Sequence, residues 1–168
     1  MKIAIIYSTS HKSTKKSCKI LSGKIKVQVQ MIPIEKAKSE CLQKYNYIIL
    51  AASVYTGRVQ GSFKRYISTN IRTLQEKPIA LIVNCEDEIN IEERLNKTFS
   101  EQLVNSSFIY ANFGYELDPY EGNIIEKRKI NNIIENYKKE GKSLPTLNMD
   151  EIDKFADHIN NMIDKRVD

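Results

Sequence analysis

MKIAIIYSTSHKST, residues 1–14, is the stretch whose reading decides the fold. Its first half, Ile3 to Tyr7, is a short apolar run of the length and composition of a strand buried on both faces. Its second half runs Ser8-Thr9-Ser10-His11-Lys12-Ser13-Thr14 and places five hydroxyl side chains in seven positions. A helix-compatible segment follows. A buried strand that ends in a hydroxyl-rich turn at the start of a helix is suited to an anion such as a phosphate. Backbone N–H groups point outward there, the helix dipole favours negative charge, and Ser and Thr supply further donors.

Working outward, residues 14–21 read as a short helix with Cys18, Leu21 and Ile25 inward, and Gly23 reads as its stop signal. Residues 26–32, KVQVQMI, alternate apolar and polar, which predicts a strand with one wet face near a sheet edge, ended by Pro33. A short helix is expected around residues 38–44. Residues 47–52 form a continuous apolar run, the signature of a central strand, and empty into Ser53-Val54-Tyr55-Thr56-Gly57-Arg58. A helix over residues 62–74 follows, with Phe63, Tyr66, Ile67 and Ile71 at helical spacing.

Residues 79–83 predict a fourth buried strand, closing at Asn84-Cys85-Glu86. Ile91, Leu95, Phe99 and Leu103 recur every four residues and predict one amphipathic helix. Residues 107–113 read as a fifth strand, 124–140 as a helix stopped by Gly141, and 144–147 as an extended connector. Asn148 with Glu151 three positions on predicts a capping box for a last helix. Strand and helix alternate five times, which predicts an α/β fold: a doubly wound, five-stranded parallel sheet with helices on both faces, in a single domain spanning residues 1–168. Ligands of such sheets sit beyond the carboxyl ends of the strands, where the strand order switches. The exits of strands one, three and four therefore carry the candidate site.

Composition narrows the function. Hydrophobic residues at 41% and charged residues at 28% are ordinary for a globular chain. No run approaches the apolar length of a membrane span, and a chain that starts directly on a strand reads as lacking a signal peptide. Three scattered cysteines, Cys18, Cys41 and Cys85, without a CxxC, fit a reducing cytoplasmic compartment. The net charge is +5, and it is uneven: residues 1–34 contain no Asp or Glu but seven lysines, Lys2, Lys12, Lys15, Lys16, Lys19, Lys24 and Lys26. These read either as a solvated face or as a field for an anionic cofactor, partner or membrane surface. Nucleic acid is not indicated, because no helix-turn-helix, zinc spacing or RNA-binding aromatic pattern accompanies them.

Other phosphate devices are excluded on residues. There is no GxGxxG after the first strand and no GxxxxGK[ST] anywhere. A magnesium-dependent receiver of similar architecture needs clustered carboxylates after its first strands, and the first carboxylate here is Glu35. The two histidines, His11 and His158, form no metal-ligand spacing, and no metal site is expected.

The run Ile5-Ile6-Tyr7-Ser8-Thr9 through Thr14, together with residues 48–52 and Ser53-Val54-Tyr55-Thr56-Gly57, resembles the flavodoxin family. Within it, the chain is most similar to the flavodoxin-type, menaquinone-linked protoporphyrinogen oxidases. Their phosphate turn has the spacing Ser-Thr-x-x-x-x-Thr, matched by Ser8, Thr9 and Thr14. Their third-strand exit is matched by Ala52, Ser53 and an offset Gly57, and their fourth strand ends in an Asn, here Asn84. The resemblance implies FMN held by three loops. Thr9, Ser10, Ser13 and Thr14 would bond its phosphate, with Ser8, His11 and Lys12 in the same turn. Tyr55 would lie against the ring, with Ser53 and Val54 beside it. Thr56-Gly57 would let the backbone adjust near the flavin N5. Asn84 and Cys85 would approach the pyrimidine end. Three of these keep a plainer reading alongside: the hydroxyl turn as an ordinary Ser-rich helix cap, Tyr55 as an exposed loop aromatic, Cys85 as a buried strand-end thiol.

Lys12 stands where the family's turn usually has Gly, so it either loosens the turn or itself pairs with the phosphate. The basic charge also departs from the acidic electron carriers of the family and makes reduction of the flavin easier. Residues 127–141 are polar where the oxidases are apolar enough to meet a membrane, which leaves at most a weak membrane-surface contact. The expectation is an FMN-binding redox protein, an electron carrier or flavin-dependent oxidoreductase. It would act with a redox partner protein or a small, porphyrinogen-like anionic substrate. The alternative is a binding module that kept the fold and lost the flavin.

Overall fold

The computed structural model describes residues 1–9, 12–38, 40–54, 59–86, 90–120 and 123–165. Five strands, β1 (Lys2–Ser8), β2 (Gln28–Pro33), β3 (Tyr47–Ser53), β4 (Ile79–Asn84) and β5 (Ser107–Asn112), form one sheet in the order β2-β1-β3-β4-β5. All neighbours run parallel. This is the doubly wound α/β architecture expected from the alternation of apolar runs and amphipathic segments. The three central strands are buried along almost their full length, as their continuous apolar sequences require. β2 alternates in and out at the sheet edge, where Pro33 is tolerated as its last residue instead of ending it one residue earlier.

Strand periodicity divides the core into two layers. Ile3, Ile5 and Tyr7 of β1 point into the layer covered by α1 (Ser13–Lys24) and α7 (Met149–Asp164), whose Cys18, Leu21, Ile152, Phe155 and Ile159 pack there. Ala4 and Ile6 face the opposite layer with Phe63, Tyr66 and Ile67 of α3 (Gly61–Gln75) and Leu95 and Phe99 of α4 (Ile91–Phe99).

Several boundaries differ from the sequence expectation. α1 runs through Gly23 to Lys24, because nothing at that position demands a left-handed backbone and a helix interior tolerates glycine. The helix expected at residues 38–44 is instead α2 (Ile34–Ala37) followed by a single 3-10 turn, Leu42–Lys44. The four-residue repeat from Ile91 to Leu103 does not make one helix. Ser100 adopts φ 77°, ψ 147°, and breaks it into α4 and α5 (Glu101–Ser106) while Leu103 stays buried. β5 ends at Asn112, one residue before Phe113.

α6 (Ile124–Lys139) is stopped where glycine predicts it, with Gly141 at φ 65°. Its start is fixed by a reciprocal capping box between Asn123 and Glu126 that the sequence reading passed over. At α7 only half of the expected box forms. Asn148 accepts from the Glu151 N–H, while the Glu151 carboxylate pairs with Lys154.

Gly114 joins the sheet to the last connector. Its φ is 63°, and a Cβ there would lie 2.6 Å from the Thr146 carbonyl oxygen, so both conformation and space require glycine. The close approach makes an antiparallel bridge between Gly114 and Leu147 and lets Asn148 N–H donate to the Phe113 carbonyl at 2.9 Å. α7 is thereby delivered next to α1.

Candidate functional site

The order β2-β1-β3 means that the chain leaves β1 toward one side and returns, after β2, on the other. The exits of β1 and β3 therefore diverge and open a crevice above the sheet. Register places Ser8 beside Ala52, Ser53 beside Asn84, and Val83 beside Asn112, so the ends of four strands are level around it.

The turn after β1 is the most chemically loaded part. Ser8 is fully buried, and its Oγ donates to Gln60 Oε1 at 2.8 Å. Gln60 Nε2 in turn donates to the Thr9 carbonyl at 2.9 Å, so this one side chain ties the β1 exit to the start of α3. α1 begins with Lys12 at φ 58°, ψ −11°, a left-handed conformation that glycine adopts at least cost. The Lys12 side chain does not cap the first amides, and no acidic residue lies in the first turn, so no carboxylate there offsets the positive end of the helix dipole.

Thr9 Oγ1 and Thr14 Oγ1 are both shielded from water and without a hydrogen-bond partner among the described residues. A buried hydroxyl left in that state costs about 1–3 kcal/mol, so two of them around the start of α1 call for an acceptor beyond those the described residues offer. Ser13 is also buried, and its Oγ accepts from the Glu116 N–H at 3.1 Å, which ties the turn to the segment after β5.

On the far side of the crevice two asparagines organise the strand ends. Asn84 is 1% exposed: its Oδ1 accepts from Ser17 Oγ at 3.2 Å and its Nδ2 donates to the Gly114 carbonyl at 2.8 Å. Its own carbonyl accepts from Val54 N–H at 3.0 Å, holding the β3 exit. One residue thus joins α1 and the three exits of β3, β4 and β5. Asn112 does similar work one strand over. Its Oδ1 accepts from Cys85 N–H at 3.2 Å and Gly114 N–H at 3.0 Å, and its Nδ2 donates to the Cys85 carbonyl at 3.3 Å. Cys85 is buried beneath this pair. At the rim, Tyr137 donates to Glu86 and its hydroxyl lies 2.9 Å from that of Tyr115. Burial first, then the bond to Glu86, pushes the Tyr137 phenol well above its ordinary value.

Of the residues singled out from sequence, Ser8, Thr9, Lys12, Ser13 and Thr14 are gathered at the α1 start, and Ser53, Val54, Asn84 and Cys85 at the ends of β3 and β4. Ser10, His11, Tyr55, Thr56 and Gly57 lie outside the described residues. Sequence reasoning missed Gln60 and Asn112. Gln60 carried a weak signal as the polar residue just before a helix start. Asn112 carried a better one, since it closes an apolar run as Asn84 does on the adjacent strand.

Beside the turn, Lys12, Ser13, Lys15, Lys16 and Lys19 line a cleft of about 410 Å³ whose other wall is Glu116 and Asp118. Lys16 Nζ and Glu116 Oε1 are 2.5 Å apart across it.

The fold and this crevice define a doubly wound α/β domain with a hydroxyl-rich turn at its switch point. The chain belongs to the flavodoxin family: residues 4–143 match the Flavodoxin domain. Among solved structures it is similar to oxidised Flavodoxin 2 from Bacillus cereus, with 18% identity, 83% of this chain and 99% of that one covered, and a TM-score of 0.54. Oxidised Flavodoxin 1 from Bacillus cereus gives 16% identity, coverage of 83% and 98%, and a TM-score of 0.50. A flavodoxin from the domain Archaea gives 13% identity, coverage of 79% and 93%, and a TM-score of 0.50. At these identities the likeness is one of fold. No curated protein matches the sequence. Among the described residues no helix is long and apolar enough to cross a membrane.

Proposed function

We propose that this protein binds FMN in the crevice at the β1 and β3 exits and works as a flavin-dependent electron carrier or oxidoreductase. The observation that supports this most is the pair of buried hydroxyls at the α1 start, Thr9 Oγ1 and Thr14 Oγ1, which have no hydrogen-bond partner among the described residues. A phosphate monoester supplies the acceptors that both lack and the negative charge that the helix end favours. The residues present fit the group.

In this reading Thr9, Ser10, Ser13 and Thr14 hold the phosphate, and Lys12 adds a charge. Tyr55, Ser53 and Val54 border the ring, Thr56-Gly57 supply adjustable backbone, and Cys85 lies toward the pyrimidine end. Asn84 acts through the loops it joins, since its amide is already committed to Ser17 and Gly114. Bound FMN supplies one- and two-electron transfer; the protein sets its potential and access. The excess of lysine favours negative charge at the site and so favours the reduced cofactor. The free thiols of Cys18, Cys41 and Cys85 support a reducing, cytoplasmic setting.

The visible spectrum of the purified protein with added FMN tests this reading. Shifted flavin bands with saturable quenching of FMN fluorescence are expected; unchanged free-FMN bands contradict it. A narrower version, oxidation of a porphyrinogen-like anionic substrate with a quinone acceptor, is supported by the lysine-lined cleft beside the turn. Turnover of protoporphyrinogen above the spontaneous rate is the result it requires.

A further inference from the structure

The lysines of α1 are not all treated alike by the fold. At the C-terminal end of the helix Lys24 pairs with Asp153 at 2.5 Å and Lys26, just beyond, with Asp164 at 2.8 Å, both carboxylates coming from α7. In the first turn and at mid-helix, Lys15 and Lys19 are exposed, and no ion pair holds either among the described residues. Nothing in the first 34 residues offsets them, because no Asp or Glu occurs there. The remaining positive charge is therefore concentrated around the cleft of about 410 Å³ that shares Lys12 and Ser13 with the anion turn.

The cleft is mixed in sign. Glu116, already paired with Lys16, and Asp118 form its far wall, so a uniformly anionic surface, lipid or nucleic acid, meets the Asp118 carboxylate there. A protein surface can match both walls, placing carboxylates over Lys15 and Lys19 and a basic or neutral group over Asp118. Two residues beyond Asp118 the chain carries an exposed aromatic side chain of the kind that anchors protein interfaces. Tyr120 is 85% exposed, and its N–H donates to Asp118 Oδ1 at 2.8 Å.

We infer that this cleft, with the adjoining Tyr120, is the docking surface for an acidic partner protein, seated on Lys15, Lys19 and Tyr120 beside the turn after β1. What such a partner exchanges rests on the redox reading above; the docking itself does not.

The test is fluorescence anisotropy of a labelled plant-type [2Fe–2S] ferredoxin, an acidic probe protein, titrated with the whole chain in the presence and absence of FMN. Binding in 20 mM salt is expected to weaken by about tenfold on raising salt to 200 mM. Lys15→Glu/Lys19→Glu is expected to weaken it by about tenfold or more, and Tyr120→Ala by about fivefold to tenfold. Lys2→Glu/Lys26→Glu makes the same change in net charge at the opposite end of the sheet and is expected to change affinity less than about twofold. Absence of binding in 20 mM salt overturns the inference, as does an equal loss in the two charge-reversed pairs. Lysine-dependent sedimentation with phosphatidylglycerol vesicles without ferredoxin binding overturns it too, assigning the surface to a membrane. Because binding is read without flavin as well, a protein that takes no FMN but still docks refutes only the cofactor reading.

Discussion

Ser17 Oγ lies 3.2 Å from Asn84 Oδ1 although 67 residues separate them, and through this bond the helix that carries the anion turn is fastened to the end of β4. Asn84 passes the connection on to the Gly114 carbonyl and, through its backbone, to Val54. The loops around the crevice are thus not independent. Disturbing the central amide moves all of them.

Asn84→Ala leaves the Gly114 carbonyl without its buried donor and is expected to lower stability by about 2–3 kcal/mol. Urea denaturation checks the loss. Flavin affinity is expected to fall with it, although the Asn84 side chain is turned away toward Ser17 and Gly114. Asn84→Ala with full FMN affinity would mean that the loops hold their positions without this hub.

Lys12 occupies a left-handed conformation in which a side chain costs about 1–2 kcal/mol. Lys12→Gly is therefore expected to stabilise the flavin-free protein by about 1 kcal/mol in chemical denaturation. It is also expected to weaken FMN binding, by an amount that shrinks as salt is added, because the charge proposed to pair with the phosphate is lost. Tighter FMN binding in this variant would show that the lysine only obstructs the turn.

Alkaline pH provides an independent check on the packing. Burial, followed by the charges of Glu40 and Tyr45, pushes the Tyr66 phenol from 10.0 up to about 12, and its hydroxyl has no partner among the described residues. Burial also pushes the Cys18 thiol from 9.0 up to about 12, against a smaller lowering by the Ser17 hydrogen bond. In both cases the folded state holds its proton more tightly than the unfolded chain. Their contribution is fully present below pH 9 and is lost as pH rises through 10 toward 12. The urea midpoint is expected to fall across that window. Tyr66→Phe is expected to flatten the fall above pH 10 and to raise stability at neutral pH, since it removes a stranded hydroxyl.

The parts of the fold that were legible in the sequence are those written as local pattern. The continuous apolar runs of β3 and β4 and the alternation in β2 each state how many faces of the strand are buried. The hydroxyl cluster that runs into the first turn of α1 announces a helix start. What was not legible depends on contacts between distant segments. Ser100 interrupts a regular four-residue repeat, and the repeat survives because α4 and α5 both bury the apolar positions against the same layer. Gly23 looks like a stop signal, but glycine ends a helix only where the backbone turns left-handed, as at Gly141 and not there. Gln60 and Asn112 bond across loops that only the sheet order brings together.

The central claim is that a phosphate completes the hydrogen bonding of the turn after β1. Titration of FMN into the wild-type protein and into Thr14→Val, followed by flavin fluorescence, tests it most directly, because valine keeps the shape and removes only the hydroxyl. Saturable one-to-one binding is predicted for the wild type, weakened in the variant by about 1.5–3 kcal/mol, roughly 10- to 150-fold in dissociation constant. No binding by the wild type, or identical dissociation constants for the two proteins, would contradict it.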